Sequence, residues 1–285
     1  MNLKNLYNNK TIISFEVFPP KKTTSIENIY NTLHEMKDLS PDYISVTFGA
    51  GGSSNNNLTV DIASRIKNKY NIESVAHLPG MHLTKEDVLK LLDDFKEHNI
   101  NNILALRGDP NPLVEVKNDF KYASDLVSFI KENGDFNIIA ACYPEKHIEA
   151  KSIEEDIENL KIKVDAGTDQ LITQLFLDNN DFYSFIDKTN KANIKVPIQA
   201  GIMPVTNKIQ TERMVSMCGA KLPTKFVKVL DKYGDNPLAM RDAGIAYAID
   251  QIVDLIAQGV DGIHLYTMNN AYIAKQIYGA VINML

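Results

Sequence analysis

The chain has 285 residues, of which 44% are hydrophobic and 23% are charged, and its formal net charge is -6. This length suits two domains or one large α/β barrel, and the composition excludes a disordered chain. The negative net charge and the scattered lysines argue against a nucleic-acid coat and against binding to anionic membranes, because both need clustered positive charge.

Short runs rich in β-branched and aromatic residues recur along the chain, and segments with helical periodicity separate them. This alternation is typical of parallel strands joined by helices. The predicted strands are residues 11–18, 43–49, 74–78, 102–109, 137–143, 170–177, 196–203 and 262–268. The long interval between strands 7 and 8 predicts extra helices near residues 208–218, near residues 224–232 and from about residue 237. The pattern predicts one domain, a (β/α)8 TIM barrel over residues 1–285.

Helix start and stop signals agree with this alternation. Thr24, Thr84 and Ser152 each precede a carboxylate by three positions, a spacing typical of helix N-caps. Gly167 and Gly259 follow apolar-periodic stretches, where a C-terminal glycine is expected. Helices are therefore predicted to begin near these hydroxyl residues and to end near these glycines.

The alternation of side chains along a strand separates the barrel lumen from the helix layer. In the run ISFEVF, Ile13, Phe15 and Val17 are predicted to face the helices, which leaves Glu16 facing the lumen. The other residues predicted to face the lumen are Ile12, Ser14, Phe18, Ser45, Thr47, Gly49, His77, Ile103, Ala105, Arg107, Asp109, Ile139, Ala141, Tyr143, Ile172, Gln174, His264 and Tyr266. The polar ones gather at the carboxyl ends of the strands, where the active sites of such barrels lie.

The cysteines and the apolar segments indicate the cellular location of the protein. Cys142 and Cys218 do not have the spacing of metal ligands, and they predict a reducing cytoplasm. Residues 1–10 lack the apolar core of a signal peptide, and Asp250 and Asp254 interrupt the most hydrophobic long segment. We expect a cytoplasmic protein without a membrane span.

Several common chemistries lack their motifs in this chain. It contains no GxSxG, HExxH or GxxxxGK[ST] sequence, and no strand carries a lysine for Schiff-base chemistry. The loop FGAGGSSNNN is either a phosphate-binding loop or a flexible connection. His77, His82, His147 and Glu145 do not have the spacing of a known metal site, so no metal is predicted.

Glu16 is the candidate proton donor. A carboxyl group in an apolar strand is costly to ionise, so burial is expected to raise its pKa towards the range of a general acid. The alternative is a structural salt bridge between Glu16 and Arg107 across the lumen.

Other residues suit an anionic aromatic cofactor, which needs positive charge and stacking surfaces. These residues are Arg107, His147, Lys163, Tyr122 and Tyr143. On the helix after the fifth strand, Asp156, Asn159 and Lys163 form a polar stripe at helical spacing. This stripe is either a solvated face or part of the binding site.

The motifs FEVFPP, VTFGAGG, LALRGD, YPEKHIEAKS, KVDAGTDQLITQLFLD and AGIMPVTN occur in this order over essentially the whole chain. Together they resemble the methylenetetrahydrofolate reductase family of the short bacterial type. The resemblance implies a barrel that carries FAD, takes a hydride from NADH or NADPH and reduces 5,10-methylenetetrahydrofolate to 5-methyltetrahydrofolate by a ping-pong mechanism. The product of that reaction supplies methyl groups for methionine synthesis.

The resemblance also implies roles for individual residues. Glu16 would be the general acid that protonates N10 of the folate, and Asp109 would lie between flavin and pterin and stabilise the cation that forms. Substrate contacts would come from Gln174, Gln210 and Thr47. FAD contacts would come from Thr47, Phe48, Ala50, His77, Arg107, Gly108, Asp109, Tyr122, Ala123, Tyr143, His147, Ala150, Asp156, Asn159, Ile162 and Lys163.

Three places depart from the pattern expected of bacterial relatives, one of them being Pro79, Gly80 and Met81 after His77, where Thr-Cys is common. Asn270 stands where an arginine often meets the glutamate tail of the folate, and Met214 stands where relatives can carry a phenylalanine. The partner expected is a small-molecule substrate, with no nucleic acid and no membrane, and the chain is expected to form a homo-oligomer. The alternatives are another flavin-dependent barrel, similar to proline dehydrogenase, and a ligand-binding barrel without catalysis.

Overall fold

Eight parallel strands form a closed barrel in the computed structural model, which describes residues 3–8, 10–20, 23–48 and 56–285. The strands are β1 (Ile12–Val17), β2 (Tyr43–Val46), β3 (Glu73–Pro79), β4 (Asn102–Leu106), β5 (Asn137–Cys142), β6 (Gln170–Thr173), β7 (Ile198–Ile202) and β8 (Gly262–Tyr266). Each strand pairs with the next in the chain, and β8 pairs with β1. The predicted (β/α)8 barrel is confirmed.

Helices follow the strands in the predicted alternation. They are α1 (Ile26–Met36), α2 (Asn56–Ser64), α3 (Lys85–Glu97), α4 (Ala123–Asn133), α5 (Ile153–Asp165), α6 (Asn179–Lys191), α7 (Lys208–Cys218), α8 (Thr224–Tyr233), α9 (Pro237–Ala257) and α10 (Ala271–Val281). Short helical segments cover Leu3–Asn8, Lys37–Leu39, Arg65–Lys69 and Ile282–Met284. Helices α7, α8 and α9 are the extra helices predicted between the last two strands. Over the described ranges, the helices are all too short or too polar to cross a membrane.

The helix caps agree closely with the sequence signals. Thr84 and Asp87 form a reciprocal capping box at the start of α3, and the Ser152 hydroxyl accepts a hydrogen bond from Glu155 N in α5. At α1 the cap is Ser25, one residue beyond the predicted Thr24. These bonds fix where each helix leaves the barrel rim.

The apolar residues divide between two layers. Ile13, Phe15 and Val17 of β1 pack outward among the helices, whereas Ile12 and Tyr43 belong to a cluster inside the lumen. The other buried members of the lumen cluster are Leu3, Val75, Leu104, Ile139 and Ile172. Because Leu3 packs beside the first residues of β1 and β2, the N-terminal segment closes the amino end of the barrel. The open end is therefore the carboxyl end of the strands.

The predicted facing of the fourth strand was wrong. Ile103 and Ala105 lie in the outer layer, and Leu104 faces the lumen. The strand ends at Leu106, so Arg107 and Asp109 belong to the loop after it. The prediction extended the strand alternation to Arg107 and Asp109. Because these two residues lie in the loop, they do not indicate which residues of β4 face the lumen.

All the other strands except β3 are also shorter than predicted at their carboxyl ends. β6 ends at Thr173, and the apolar residues Leu175 and Leu177 after it pack as a loop against α8 and α9. β2 ends at Val46, and β5 ends at Cys142. The sequence could not separate these segments because a buried loop and a buried strand carry the same apolar residues.

Candidate functional site

Two adjoining cavities open at the carboxyl ends of the strands. The central cavity, about 380 Å³, is lined by Glu16, Thr47, His77, Leu104, Leu106, Arg107, Gly108, Asp109, Ala141, Tyr143, His147, Ile172, Thr173, Gln174, His264 and Tyr266. The outer cavity, about 610 Å³, extends from the same rim to the first turns of α4 and α5. Five residues line both cavities, namely Leu106, Arg107, Ala141, Tyr143 and His147. The two cavities are therefore parts of one continuous site.

Glu16 lies at the floor of the central cavity between two histidines. Its Oε2 is 3.5 Å from His77 Nε2 and 3.7 Å from His264 Nε2, and its side chain is 19% exposed. His77 Nε2 is buried and has no hydrogen-bond partner in the part of the chain that the structure describes. The carboxyl group can exchange a proton with a ligand above it, and the imidazoles surround its other side.

The pKa of Glu16 does not shift in the predicted direction. Burial raises it, but the close approach of His264 and the charges on His77 and His264 outweigh burial, so the pKa lies below its ordinary value. Burial also lowers the pKa of His77 to about 4, so this imidazole is neutral at neutral pH. The expected raised pKa of Glu16 was wrong because the sequence did not indicate these histidine neighbours.

A buried hydrogen-bond network supports the site from below. His264 Nδ1 lies 2.7 Å from Ser14 Oγ, which accepts a hydrogen bond of 3.2 Å from Gln199 Nε2. Gln199 Oε1 in turn accepts a hydrogen bond from the Tyr43 hydroxyl. Because these side chains are buried, the network fixes the ring of His264 beside Glu16.

The loop after β4 is held by the loop after β3. Gly80 N donates to Leu106 O, and Met81 N donates to Arg107 O, at 2.9 and 2.8 Å. Gly108 has a φ of +89°, and a Cβ there would lie 3.0 Å from Pro79 Cβ. A glycine is therefore needed at this turn, which directs Asp109 into the central cavity.

Arg107 does not pair with Glu16, so the structural salt bridge considered from the sequence does not form. Its Nη1 is 2.5 Å from Glu149 Oε2, and its Nη2 is 2.9 Å from Glu149 Oε1. Glu149 lies in the loop between β5 and α5, and its side chain is 56% exposed. This bidentate pair lies at the junction of the two cavities.

The polar stripe of α5 lines the outer cavity. Asp156, Asn159 and Lys163 all contribute to the wall. Asp156 accepts a hydrogen bond from His147 N, and Lys163 Nζ donates to Ala141 O at the end of β5. The two contacts tie the helix to the rim of the barrel.

Most of the residues assigned by the resemblance line these cavities. Besides those above, Tyr122, Ala123, Ala150 and Ile162 line the outer one. Phe48 packs against the outer core, and Gln210 lies exposed on the first turn of α7. Neither residue lines the central or the outer cavity. Ala50 lies outside the described residues. The roles assigned to all these residues remain predictions.

The structure shows the side-chain contacts of three further positions that the sequence analysis singled out. Gln174 Nε2 lies 2.9 Å from Cys218 Sγ, and Gln174 Oε1 accepts a hydrogen bond from Leu175 N. Asn270 caps α10 by accepting a hydrogen bond from Ile273 N. Met214 packs against the cluster beneath α7, α8 and α9. The asparagine at position 270 thus has a structural task of its own.

The sequence analysis missed Glu149. It lies in a loop without periodicity, so the only available signal was its place within the motif YPEKHIEAKS. Within the described parts of the chain, no three His, Cys, Asp or Glu side chains are arranged to hold a metal ion.

The family model and the curated relatives that match this chain carry the same description. A family model described as methylenetetrahydrofolate reductase matches residues 2–281. The chain is 36% identical to "Methylenetetrahydrofolate reductase (NADH) 1" of Arabidopsis thaliana over 290 residues, covering 96% of this chain and 48% of the relative. It is also 36% identical to "5,10-methylenetetrahydrofolate reductase" of Escherichia coli (strain K12) over 265 residues, covering 93% of this chain and 88% of the relative.

Among the solved structures that share the fold, one has a ligand of interest in its description. It is an uncharacterized protein from Clostridium thermocellum, described as binding two copies of 5-methyl-5,6,7,8-tetrahydrofolic acid. The TM-score is 0.69 and the identity 15%, with 100% of this chain and 99% of that chain covered. At this identity the likeness concerns the fold alone. The chain spans about half the length of the Arabidopsis relative and most of the Escherichia coli one.

Proposed function

The chain belongs to the methylenetetrahydrofolate reductase family, and from this premise we propose that it reduces 5,10-methylenetetrahydrofolate to 5-methyltetrahydrofolate. FAD is the proposed cofactor, and NADH or NADPH is the proposed reductant. One observation carries the proposal: Glu16, Asp109 and Gln174, from three separate parts of the chain, line a single cavity. That cavity continues into a second one large enough to hold the rest of a dinucleotide.

The residues present fit FAD. The outer cavity includes the N-terminal turn of α4 at Ala123 and Ser124, where backbone N–H groups favour an anion. The buried His77 Nε2, which has no hydrogen-bond partner among the described residues, offers a ring nitrogen to a ligand in the central cavity. Tyr122 and Tyr143 supply aromatic surface. When bound, FAD would supply hydride transfer between the nicotinamide and the folate.

Glu16 is the proposed source of the proton. In its protonated form it would donate to N10 of the folate, which opens the five-membered ring and leaves a cationic carbon–nitrogen bond at N5. Asp109 would stabilise this positive charge as it develops, because an ionised carboxylate at the same cavity favours a cation. Gln174 would hold the pterin through its amide, which can donate and accept hydrogen bonds.

Two further proposals follow from the family. The ping-pong order is proposed because nicotinamide and folate would use one site in turn. We also propose that the product supplies methyl groups for methionine synthesis. A cytoplasmic location and a homo-oligomeric state remain predictions.

Spectroscopy of the two half-reactions tests the function. The purified protein should show the visible spectrum of a bound flavin, which anaerobic NADH should bleach and 5,10-methylenetetrahydrofolate should then restore. NADH is the first choice because the Arabidopsis relative carries it in its name. A colourless protein that takes up no FAD, or a reduced flavin that the folate does not reoxidise, would refute the proposal.

Glu16→Gln tests the proton donor. The amide keeps the size of the side chain but cannot act as an acid, so the folate half-reaction should slow by about 10²- to 10⁴-fold while NADH still reduces the flavin. Glu27→Gln, at an exposed position on α1, is the matched control. Equal loss of both half-reactions in Glu16→Gln would indicate a structural role instead.

A further inference from the structure

The carboxylates of the outer cavity differ in what they contact. Asp125 accepts hydrogen bonds from Lys121 N and Tyr122 N, Glu155 accepts one from Lys151 N, and Asp156 accepts one from His147 N. Each of these three is bonded to the backbone near a helix start, which is a structural task. Glu149 instead holds a guanidinium that lines both cavities.

The position of Arg107 makes this contact important for a ligand. A dinucleotide that spans both cavities has its central diphosphate near their junction, where the residues common to both walls include Arg107. A planar guanidinium binds phosphate oxygens and carboxylate oxygens with the same bidentate geometry. Glu149 therefore occupies the hydrogen-bond donors that the diphosphate would use.

The pair is also placed so that it can be displaced. The Glu149 side chain is 56% exposed and that of Arg107 is 25% exposed, and ion pairs open to solvent are weak. Glu149 lies in a loop, so its side chain can turn to solvent without moving a strand or helix. An incoming anion thus competes with Glu149 for Arg107, and the ion pair that it must replace is weak.

We propose that Glu149 is an internal competitor for the cofactor, whose carboxylate holds Arg107 before the cofactor binds and is displaced by the diphosphate of FAD. The inference rests on the proposed function, because it takes FAD as the ligand. It assigns Glu149 a role in setting cofactor affinity: the residue lowers the affinity for FAD and keeps the Arg107 side chain in place before binding.

The test is FAD affinity, measured from the rise of flavin fluorescence when the holoprotein is diluted. Glu149→Gln should bind FAD about two- to fivefold more tightly than the wild type, since an exposed ion pair no longer has to be broken. Glu154→Gln is the matched control, because it removes the same charge from an exposed position on the first turn of α5 outside the cavities. It should change the affinity less.

A double-mutant cycle separates competition from a general charge effect. In an Arg107→Gln background, Glu149→Gln should give no gain, because the guanidinium for which both groups compete is absent. Equal gains in Glu149→Gln and Glu154→Gln, or a full gain in the Arg107→Gln background, would overturn the inference. So would an affinity of Glu149→Gln that is equal to or below that of the wild type. If the wild type itself binds no FAD, the proposed function fails as well.

Discussion

His77 offers a quantitative test of the charge arrangement around Glu16. Its side chain is 7% exposed, and burial lowers its pKa from 6.5 to about 4. Between these two values the unfolded chain carries a proton on His77 that the folded chain does not. The free energy of unfolding therefore falls as the pH decreases from 6.5 to about 4, and His77 contributes its full stabilisation only above this window.

The size of the effect follows from the shift. One pKa unit corresponds to about 1.4 kcal/mol, so the drop from 6.5 to about 4 is worth about 3 kcal/mol in total. Glu16 has a lowered pKa, and its own contribution is lost only as the pH falls through that lowered value, below 4.5. Between pH 7 and 4.5, where Glu16 contributes little, His77 should account for about 2 kcal/mol of lost stability.

The perturbation is His77→Gln, which replaces the imidazole with a neutral side chain. Urea unfolding at several pH values between 7 and 4.5 gives the free energy of unfolding of each protein. The wild type should lose about 2 kcal/mol more than the variant over this range, whatever the difference between them at pH 7. His34→Gln, on the exposed face of α1, controls for the loss of an imidazole. Parallel pH profiles for the wild type and His77→Gln would refute the assignment of a neutral, buried His77.

Two further predictions concern Asp109 and two helical glycines. Asp109→Asn should slow the folate half-reaction by about tenfold or more and the NADH half-reaction less, as followed by anaerobic stopped-flow absorbance; an unchanged folate rate would remove Asp109 from the mechanism. Gly244→Ala should destabilise the fold by about 1–3 kcal/mol, since the new Cβ would lie 1.8 Å from Val205 O. Gly279→Ala in α10 meets nothing within 4 Å and should stabilise the fold by about 0.5 kcal/mol in urea unfolding; shifts of the same sign would contradict this reasoning.

The order of elements was predictable because each buried strand and each amphipathic helix carries its own local pattern. The facing of β1 was also predictable, since Ile13, Phe15 and Val17 alternate cleanly with Glu16. The carboxyl ends of strands were not, because the chain leaves the barrel there while apolar residues such as Leu175 remain buried. Strand ends depend on hydrogen bonds between neighbouring strands, which a single local pattern does not encode.

The candidate site was predictable where residues follow a strand directly. Thr47 and Gln174 lie just beyond strand ends and His77 lies in the carboxyl half of β3, so the topology brings them to one rim. Glu149 was not predictable, because its partner is more than forty positions away and both lie in loops. The same limit applies to the pKa of Glu16, since a sequence shows that a carboxyl group is buried but not which charged groups surround it.

Burial raises the pKa of Glu16, but the neighbouring histidines lower it more, and water can still reach the carboxyl group. Its side chain is 19% exposed, and a flat ring bound in the central cavity would cover that remaining surface. Exclusion of water strengthens the effect of burial, which favours the protonated carboxyl group. The contact with His264 still opposes this change, whereas His77, with a pKa of about 4, carries no positive charge at neutral pH. We therefore expect the pKa of Glu16 to rise when the site is filled, so that the acid forms only beside its substrate. The pH profile of the folate half-reaction measures this value, and a profile governed by a pKa below 4.5 would show that the histidines still outweigh burial when the site is filled.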